Sequence, residues 1–226
     1  MRAALIDLHS HSDKRQRGAK VVYNVIIPPE GCMALEKGSF EDWISVGIHP
    51  WFINDTNTKA QLAKLKEVAG SANVKLIGEC GLDRLRGPSL ELQQLVLEEQ
   101  INIAENARKP LLIHCVRCFN ELILIKRRLN PSVPLIVHGF NNNEDILKQL
   151  LLHGFYLSFG AALLNNRSNA FKLLNTVPDD RFFLETDDKD IPVKKIYKVA
   201  AEIKNIPVYT LKDIIFANCM SLVEGV

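Results

Sequence analysis

Residues able to hold a cation or move a proton recur at one kind of place in this chain, the ends of short apolar runs. Ile6-Asp7-Leu8-His9-Ser10-His11 sets two imidazoles two residues apart. On an extended chain positions i and i+2 face the same way, so both can address one ion. Glu79 closes the run 74–79, His114 the run 110–114, His138 the run 134–138 and Asp187 the run 181–187. Any one of these is most simply a strand-end polar group, bonded to a carbonyl or capping a turn. Burying all six without a cation would leave several costly polar groups to satisfy. His9, His11, Glu79, His114, His138 and Asp187 are therefore read as metal ligands. Mixed imidazole and carboxylate donors suit zinc, manganese, iron or nickel better than calcium, and six are too many for one closed tetrahedral site. Two divalent ions, magnesium also being a candidate, are expected, with Glu79 bridging. Such a pair, roughly 3.5–4 Å apart, can deprotonate a water while polarising a phosphoryl or carbonyl oxygen. The chemistry predicted is hydrolysis.

Eight segments read as strands: 4–9, 20–27, 44–48, 74–79, 110–114, 134–138, 155–159 and 181–187. Most are too continuously apolar to be one-sided, which suggests burial on both faces of a parallel sheet. Helical spacing follows most of them, as in Leu62, Leu65, Val68 and Ala69, then Leu92, Leu95, Val96, Ile101 and Ala104, then Leu122, Ile125 and Leu129. Further helices are expected over 145–152, 169–176, 192–204 and 211–223. This alternation predicts an α/β fold, a (β/α)8 TIM-type barrel, whose strand ends carry the site. A doubly wound open sheet is the other possibility. The barrel should be trimmed or distorted around its first βα units. Only residues 12–19 separate the first two strands, too few for a crossover helix, and the next connection has room for a short one, at 32–37.

A chain of 226 residues with 47% hydrophobic and 24% charged residues has ordinary globular composition, and one domain over 1–226 is expected. The net charge of +2 identifies no partner. Five scattered cysteines, no apolar leader and no run of about 20 apolar residues suggest a soluble, cytoplasmic protein without a membrane partner or an obligate protein partner. Cys115-Val-Arg-Cys118 has no second C-x-x-C to complete a sulfur site, which argues against structural zinc.

In its strand-end motifs the chain resembles the TatD-type metal-dependent deoxyribonucleases, among the amidohydrolase-like barrels. The resemblance rests on Asp7-Leu8-His9-Ser10-His11-Ser12-Asp13, Gly47-Ile48-His49-Pro50, Ile77-Gly78-Glu79-Cys80-Gly81-Leu82-Asp83, Pro110-Leu111-Leu112-Ile113-His114-Cys115, Val137-His138-Gly139-Phe140 and Leu184-Glu185-Thr186-Asp187, with Ala217-Asn218 at the close. It implies that His9, His11 and Asp187 serve a first ion, that Glu79 bridges, and that His114 and His138 serve a second. It also implies cleavage of DNA phosphodiesters by a metal-bound hydroxide. Asp187 would be the orienting base, with Glu79 the other carboxylate in that role. His49 resembles the family's non-ligand histidine, which either touches a phosphate or braces its loop.

The substrate-facing stretches depart from the family. The segment after Asp13 is short, the arginine usual two residues after His114 is replaced by Val116 with Arg117 one place later, the strand-six turn reads Gly139-Phe140-Asn141-Asn142-Asn143, and the loop after Asp187 is cut to Asp188-Lys189-Asp190-Ile191-Pro192. Contacts to a DNA backbone are expected from Arg15, Arg17 and Arg117, with His49; Trp51 is the aromatic residue placed to stack a base, though packing under its loop is the simpler reading. Two alternatives stay open: hydrolysis of a small ester, lactone or amide at the same metal site, and a catalytically reduced metal-binding protein.

Overall fold

The computed structural model describes residues 3–12, 16–29 and 43–224. Its strands are β1 Leu5–Ser10, β2 Ala19–Ile26, β3 Trp43–Gly47, β4 Val74–Asp83, β5 Leu111–Val116, β6 Leu135–Val137, β7 Tyr156–Phe159 and β8 Phe182–Leu184. Its helices are α1 Thr58–Val68, α2 Leu90–Ala107, α3 Phe119–Leu129, α4 Glu144–Leu152, α5 Asn169–Leu173, α6 Val193–Lys204 and α7 Val208–Glu224. The strands lie in chain order, β1 to β8, the (β/α)8 class that the alternation predicts. The described residues between β1 and β2 form no helix, as the short spacing requires. The expected helix at 32–37 lies outside the described residues.

The chain groups into two compact units, residues 1–23 with 137–225, and residues 24–136 with 226. In the first, β1 pairs in parallel with the start of β2, and β7 with β8. Its core includes Ile6, Leu8, Val22, Phe155, Leu157, Phe159, Phe182, Phe183, Ile196 and Ala200, all fully buried or nearly so. Tyr197 of α6 is buried, and its hydroxyl both donates to the Ile6 carbonyl and accepts from the Ile6 amide, each at 3.0 Å. The phenol thus closes the backbone polar groups of β1 that its neighbours leave open.

In the second unit β3, β4 and β5 pair in parallel, over a core that includes Val46, Ile48, Leu65, Leu76, Ile77, Leu97, Ile101, Leu112 and Ile113. Strand β4 runs four residues further than the apolar run predicts, through Gly81 to Asp83. Gly78 and Gly81 have φ of +142° and +145°, and a Cβ there would lie 2.4 Å from the Leu112 carbonyl oxygen and 1.9 Å from that of His114. Only glycine lets β4 approach β5 this closely while carrying Glu79 and Asp83 beside His114. Conversely β8 stops at Leu184, so Asp187 lies beyond the strand that the run 181–187 suggests. The last turn of the helix expected over 169–176 is a 3-10 turn, Leu174–Thr176, after α5. No single described helix is long and apolar enough to cross a membrane.

Candidate metal centre

In the first unit β1 delivers His9 buried within the strand and His11 one residue past its end. Backbone bonds tie this end to residue 187: the Asp187 amide donates to the His9 carbonyl at 2.9 Å and the His11 amide to the Asp187 carbonyl at 3.0 Å. Asp187 takes φ +54°, which turns its carboxylate back to both rings. Its Oδ1 lies 3.4 Å from His9 Nε2 and 3.5 Å from His11 Nε2. Two ligands each about 2.1 Å from a tetrahedral ion stand about 3.4 Å apart, so this spacing fits a cation among the three.

Beneath these groups a buried scaffold fixes the turn. Asp7 accepts from the Thr186 amide at 2.8 Å, the Thr186 hydroxyl at 2.7 Å and Gln16 Nε2 at 2.9 Å. Burial nevertheless outweighs those bonds and pushes the Asp7 carboxyl up to about 6. His138 follows β6 in the same unit, its ring centroid 4.6 Å from that of His9 and its Nδ1 3.5 Å from Oε1 of Glu185. The Gly139 amide donates to the same Glu185 oxygen at 2.7 Å, while Glu185 Oε2 is buried with no hydrogen-bond partner among the described residues. A fully buried carboxylate oxygen left in that state is one that a cation's ligand shell would satisfy.

The second unit assembles a different set. Glu79, in the middle of β4, lies with Oε1 3.1 Å from His49 Nε2 and 3.0 Å from His114 Nδ1. Asn24 of β2 donates to Glu79 Oε2 at 3.4 Å and accepts from the Glu79 amide at 3.0 Å. His114, inside β5 rather than at its end, turns its other nitrogen to Asp83 Oδ2 at 3.2 Å. Burial works against the Asp83 anion, but bonds from the Trp51 indole, the Leu85 amide and His114 prevail and hold its carboxyl below the usual range. Helix α2 braces both flanks with two glutamines on one face, two turns apart. Gln100 bonds the amide and carbonyl of Ile48, just before His49, and Gln93 bonds those of Asp83.

Three potential ligand atoms therefore lie within 4.8 Å of one another in each unit, from His9, His11 and Asp187 in one and from His49, Glu79 and His114 in the other. Imidazole and carboxylate donors at these separations fit a divalent transition ion. The family model described as TatD related DNase matches residues 6–224. The chain belongs to this family.

Among its relatives, an uncharacterized metal-dependent hydrolase of Buchnera aphidicola is 31% identical over 81% of this chain and 77% of its own length. The 3'-5' ssDNA/RNA exonuclease TatD of Cronobacter sakazakii is 31% identical over 64% of this chain, and the alignment spans only 56% of that protein. The solved TatD homologue YJJV of Escherichia coli K12 superposes with a TM-score of 0.82 over 99% of each chain at 21% identity, which shows the fold. With TatD membership comes the class of metal-dependent hydrolases.

Within that TatD frame the structure distributes the residues singled out in the sequence. His49 joins Glu79 and His114, while His138 lies beside His9. Arg17 is exposed and lines a cleft of about 380 Å³ with Ser12, Gln16, Thr186, Lys189 and Lys194. Arg117 is exposed, with φ +55°, and its carbonyl accepts from Arg84; Arg15 lies outside the described residues. Trp51 is 41% exposed, with the Arg86 guanidinium 4.5 Å from its ring centre and its indole N–H on Asp83 at 2.7 Å. Cys115 and Cys118 are thiols, Cys118 standing at the start of α3. The sequence reading gave no role to Asp83, Glu185, Asp7 or Asn24. Asp83 had a signal, because Glu79 and Asp83 are four apart and share one face of a strand. Asn24 and Gln93 had none, since their roles depend on pairings that span many residues.

Proposed function

We propose that this chain is a two-metal hydrolase that cleaves phosphodiester bonds of DNA. The observation that carries the reading is the gathering of imidazole and carboxylate groups in each unit, His9, His11 and Asp187 in one and Glu79 and His114, beside His49, in the other, on a chain of the TatD family. His9, His11 and Asp187 would hold one ion. Glu79 and His114 would hold the other, with His138 and the bridging role of Glu79 taken from the family resemblance. Bound ions supply the Lewis acidity that polarises a phosphoryl oxygen and acidifies water. Zinc, manganese, iron, nickel and magnesium are all compatible with these donors.

The chain's own residues do the rest. Asp187, partly exposed and turned by its φ toward both histidines, orients and accepts the proton of the attacking water. Glu79, held by Asn24 beside the His49 and His114 nitrogens, serves as the second carboxylate. Arg17 and Arg117, both exposed, are the proposed phosphate contacts, joined by Arg15. The thiols of Cys80, Cys115 and Cys118 fit a reducing compartment, and we place the protein in the cytoplasm.

The test is metal analysis of the purified protein, followed by assays on single-stranded DNA, duplex DNA and a panel of esters and lactones. His9→Ala and Glu79→Ala serve as controls. DNA cleavage that disappears in both variants supports the reading. Turnover of esters or lactones alone would replace it with carbonyl hydrolysis, and bound metal without any turnover would leave a binding protein. Metal content near zero under replete conditions would defeat all three. Glu79→Ala should lose both ions if the carboxylate bridges, and one if it serves only its own unit.

A further inference from the structure

The second unit contains a closed circuit of five residues. The Trp51 backbone N–H donates to His49 Nδ1 at 3.2 Å. His49 Nε2 meets Glu79 Oε1 at 3.1 Å, and the same oxygen meets His114 Nδ1 at 3.0 Å. His114 Nε2 reaches Asp83 Oδ2 at 3.2 Å, and the Trp51 indole N–H returns to that oxygen at 2.7 Å. One tryptophan thus fixes both histidines, one through its backbone and one through its side chain.

Donor and acceptor rules then separate the two rings. An amide N–H can only donate, so His49 Nδ1 carries the lone pair and its Nε2 carries the proton that faces Glu79. An ionised carboxylate can only accept, so the Asp83 contact places a proton on His114 Nε2, and a cation seated between Glu79 and the ring would then meet the lone pair of Nδ1. His114 is thereby built as a ligand. His49 is built as a hydrogen-bond donor to Glu79, although its nitrogen lies equally close.

We propose that Trp51, acting through Asp83, is a positioning residue that holds His114 with its Nδ1 lone pair available to a metal ion, while its backbone sets His49 as a donor rather than a ligand. This rests on the metal-site reading above and sharpens it. Trp51→Phe keeps an aromatic ring and the backbone N–H but removes the indole donor. The His114 ring, held on one side less firmly, should bind its ion about 10–100-fold more weakly, the usual cost of losing an outer partner of a ligand histidine. Asp83→Asn leaves only a neutral amide oxygen as acceptor for the His114 and Trp51 N–H groups and should weaken binding at least as much.

The test is titration of metal-free protein with manganese and with zinc by calorimetry, beside long-range proton–nitrogen correlation of labelled histidine rings. His114→Gln and His49→Gln identify the signals of the two rings. The expected result is Nε2–H rings at both positions in the zinc-loaded parent, one weakened ion in Trp51→Phe and in Asp83→Asn, and no further weakening in the double variant. His49→Gln should retain both ions. A structural contribution from the indole ring would instead add to that of Asp83→Asn. Trp51→Phe with parental affinity for both ions, additive losses, or an ion lost in His49→Gln would overturn the inference. If the parent binds no ion, the underlying reading fails first, whereas parental binding with an unaffected Trp51→Phe removes this inference alone.

Discussion

The two units present ligands of the same types in opposite states of preparation. In the first, the Asp187 carboxylate stands 3.4 and 3.5 Å from its histidine nitrogens, and the side chains of His11 and Asp187 are each 35% exposed. In the second, the Glu79 contacts are 3.0 and 3.1 Å and its side chain is 4% exposed. The first set is spaced for an ion and open to water. The second is more closely spaced and buried, with Glu79 held by Asn24 and His114 by Asp83. Ligands held by buried hydrogen bonds before metal arrives need less reorganisation, whereas open ligands exchange more readily with solvent. The comparison therefore predicts a division of labour: one set stabilises the fold, and the other exchanges its ion.

The largest effects should come from the two carboxylates. Glu79→Ala and Asp187→Ala should each lower kcat/KM on DNA by at least about 10²–10³-fold, because each removes a charge from where the reaction needs one. Their metal-free forms should differ. Glu79→Ala removes the buried acceptor that faces His49 Nε2 and the Asn24 amide and should cost about 1–3 kcal/mol, while Asp187→Ala should cost less because water reaches its site. Denaturant unfolding of the two metal-free variants measures this, and equal losses would break the comparison.

Chelation should divide the ions by rate. A chelator added to the loaded protein should remove metal in two phases, the faster from His9, His11 and Asp187. His11→Ala should abolish the fast phase and leave the slow one. A fast phase that persists in His11→Ala but vanishes in His114→Ala would invert the assignment.

The strands that carry the proposed ligands were legible, because the fold class places polar residues after apolar runs and eight such runs correspond to strands. The partners of those ligands were less legible. The apolar run 74–79 points to a strand that ends at Glu79, yet Gly78 and Gly81 are what allow β4 to continue beside β5 to Asp83. Asp187 was read as a strand end, but it is a turn residue whose positive φ no apolar pattern encodes. Gln93 and Gln100 look like ordinary polar residues of an amphipathic helix. Only burial on α2 shows them closing backbone groups beside Asp83 and His49.

A smaller effect is expected at the exposed cations. Arg17→Ala and Arg117→Ala should each raise KM for an oligonucleotide a few-fold and reduce the salt slope of binding by about one, leaving turnover of an uncharged ester unchanged. Because Arg17 belongs to the open unit and Arg117 to the buried one, comparing the two variants shows which unit takes hold of the backbone first. Equal effects on an ester would mean that the arginines support the fold rather than the substrate.

The smallest effect tests whether burial of polar groups in the second unit extends beyond its ligands. Lys109, at the entry to β5, donates from Nζ to the carbonyls of Ala69 and Ser71. Burial, and secondarily Lys75, pulls its ammonium down from 10.5 to about 8. A lysine with a depressed folded pKa loses its proton in the native state first. Between about pH 8 and 10.5 the unfolded chain holds the proton that the folded one has released, so stability from this group rises with pH. One proton would give about 1.4 kcal/mol per pH unit at most, and partial exposure screens that slope to a fraction. Lys109→Met should therefore flatten the stability curve across this window while leaving its slope below pH 7 unchanged. Urea unfolding at intervals from pH 7 to 10 reads the difference. An unchanged slope in Lys109→Met would show that the ammonium is as well solvated in the folded protein as in the unfolded chain, and would confine the buried polar design to the ligands themselves.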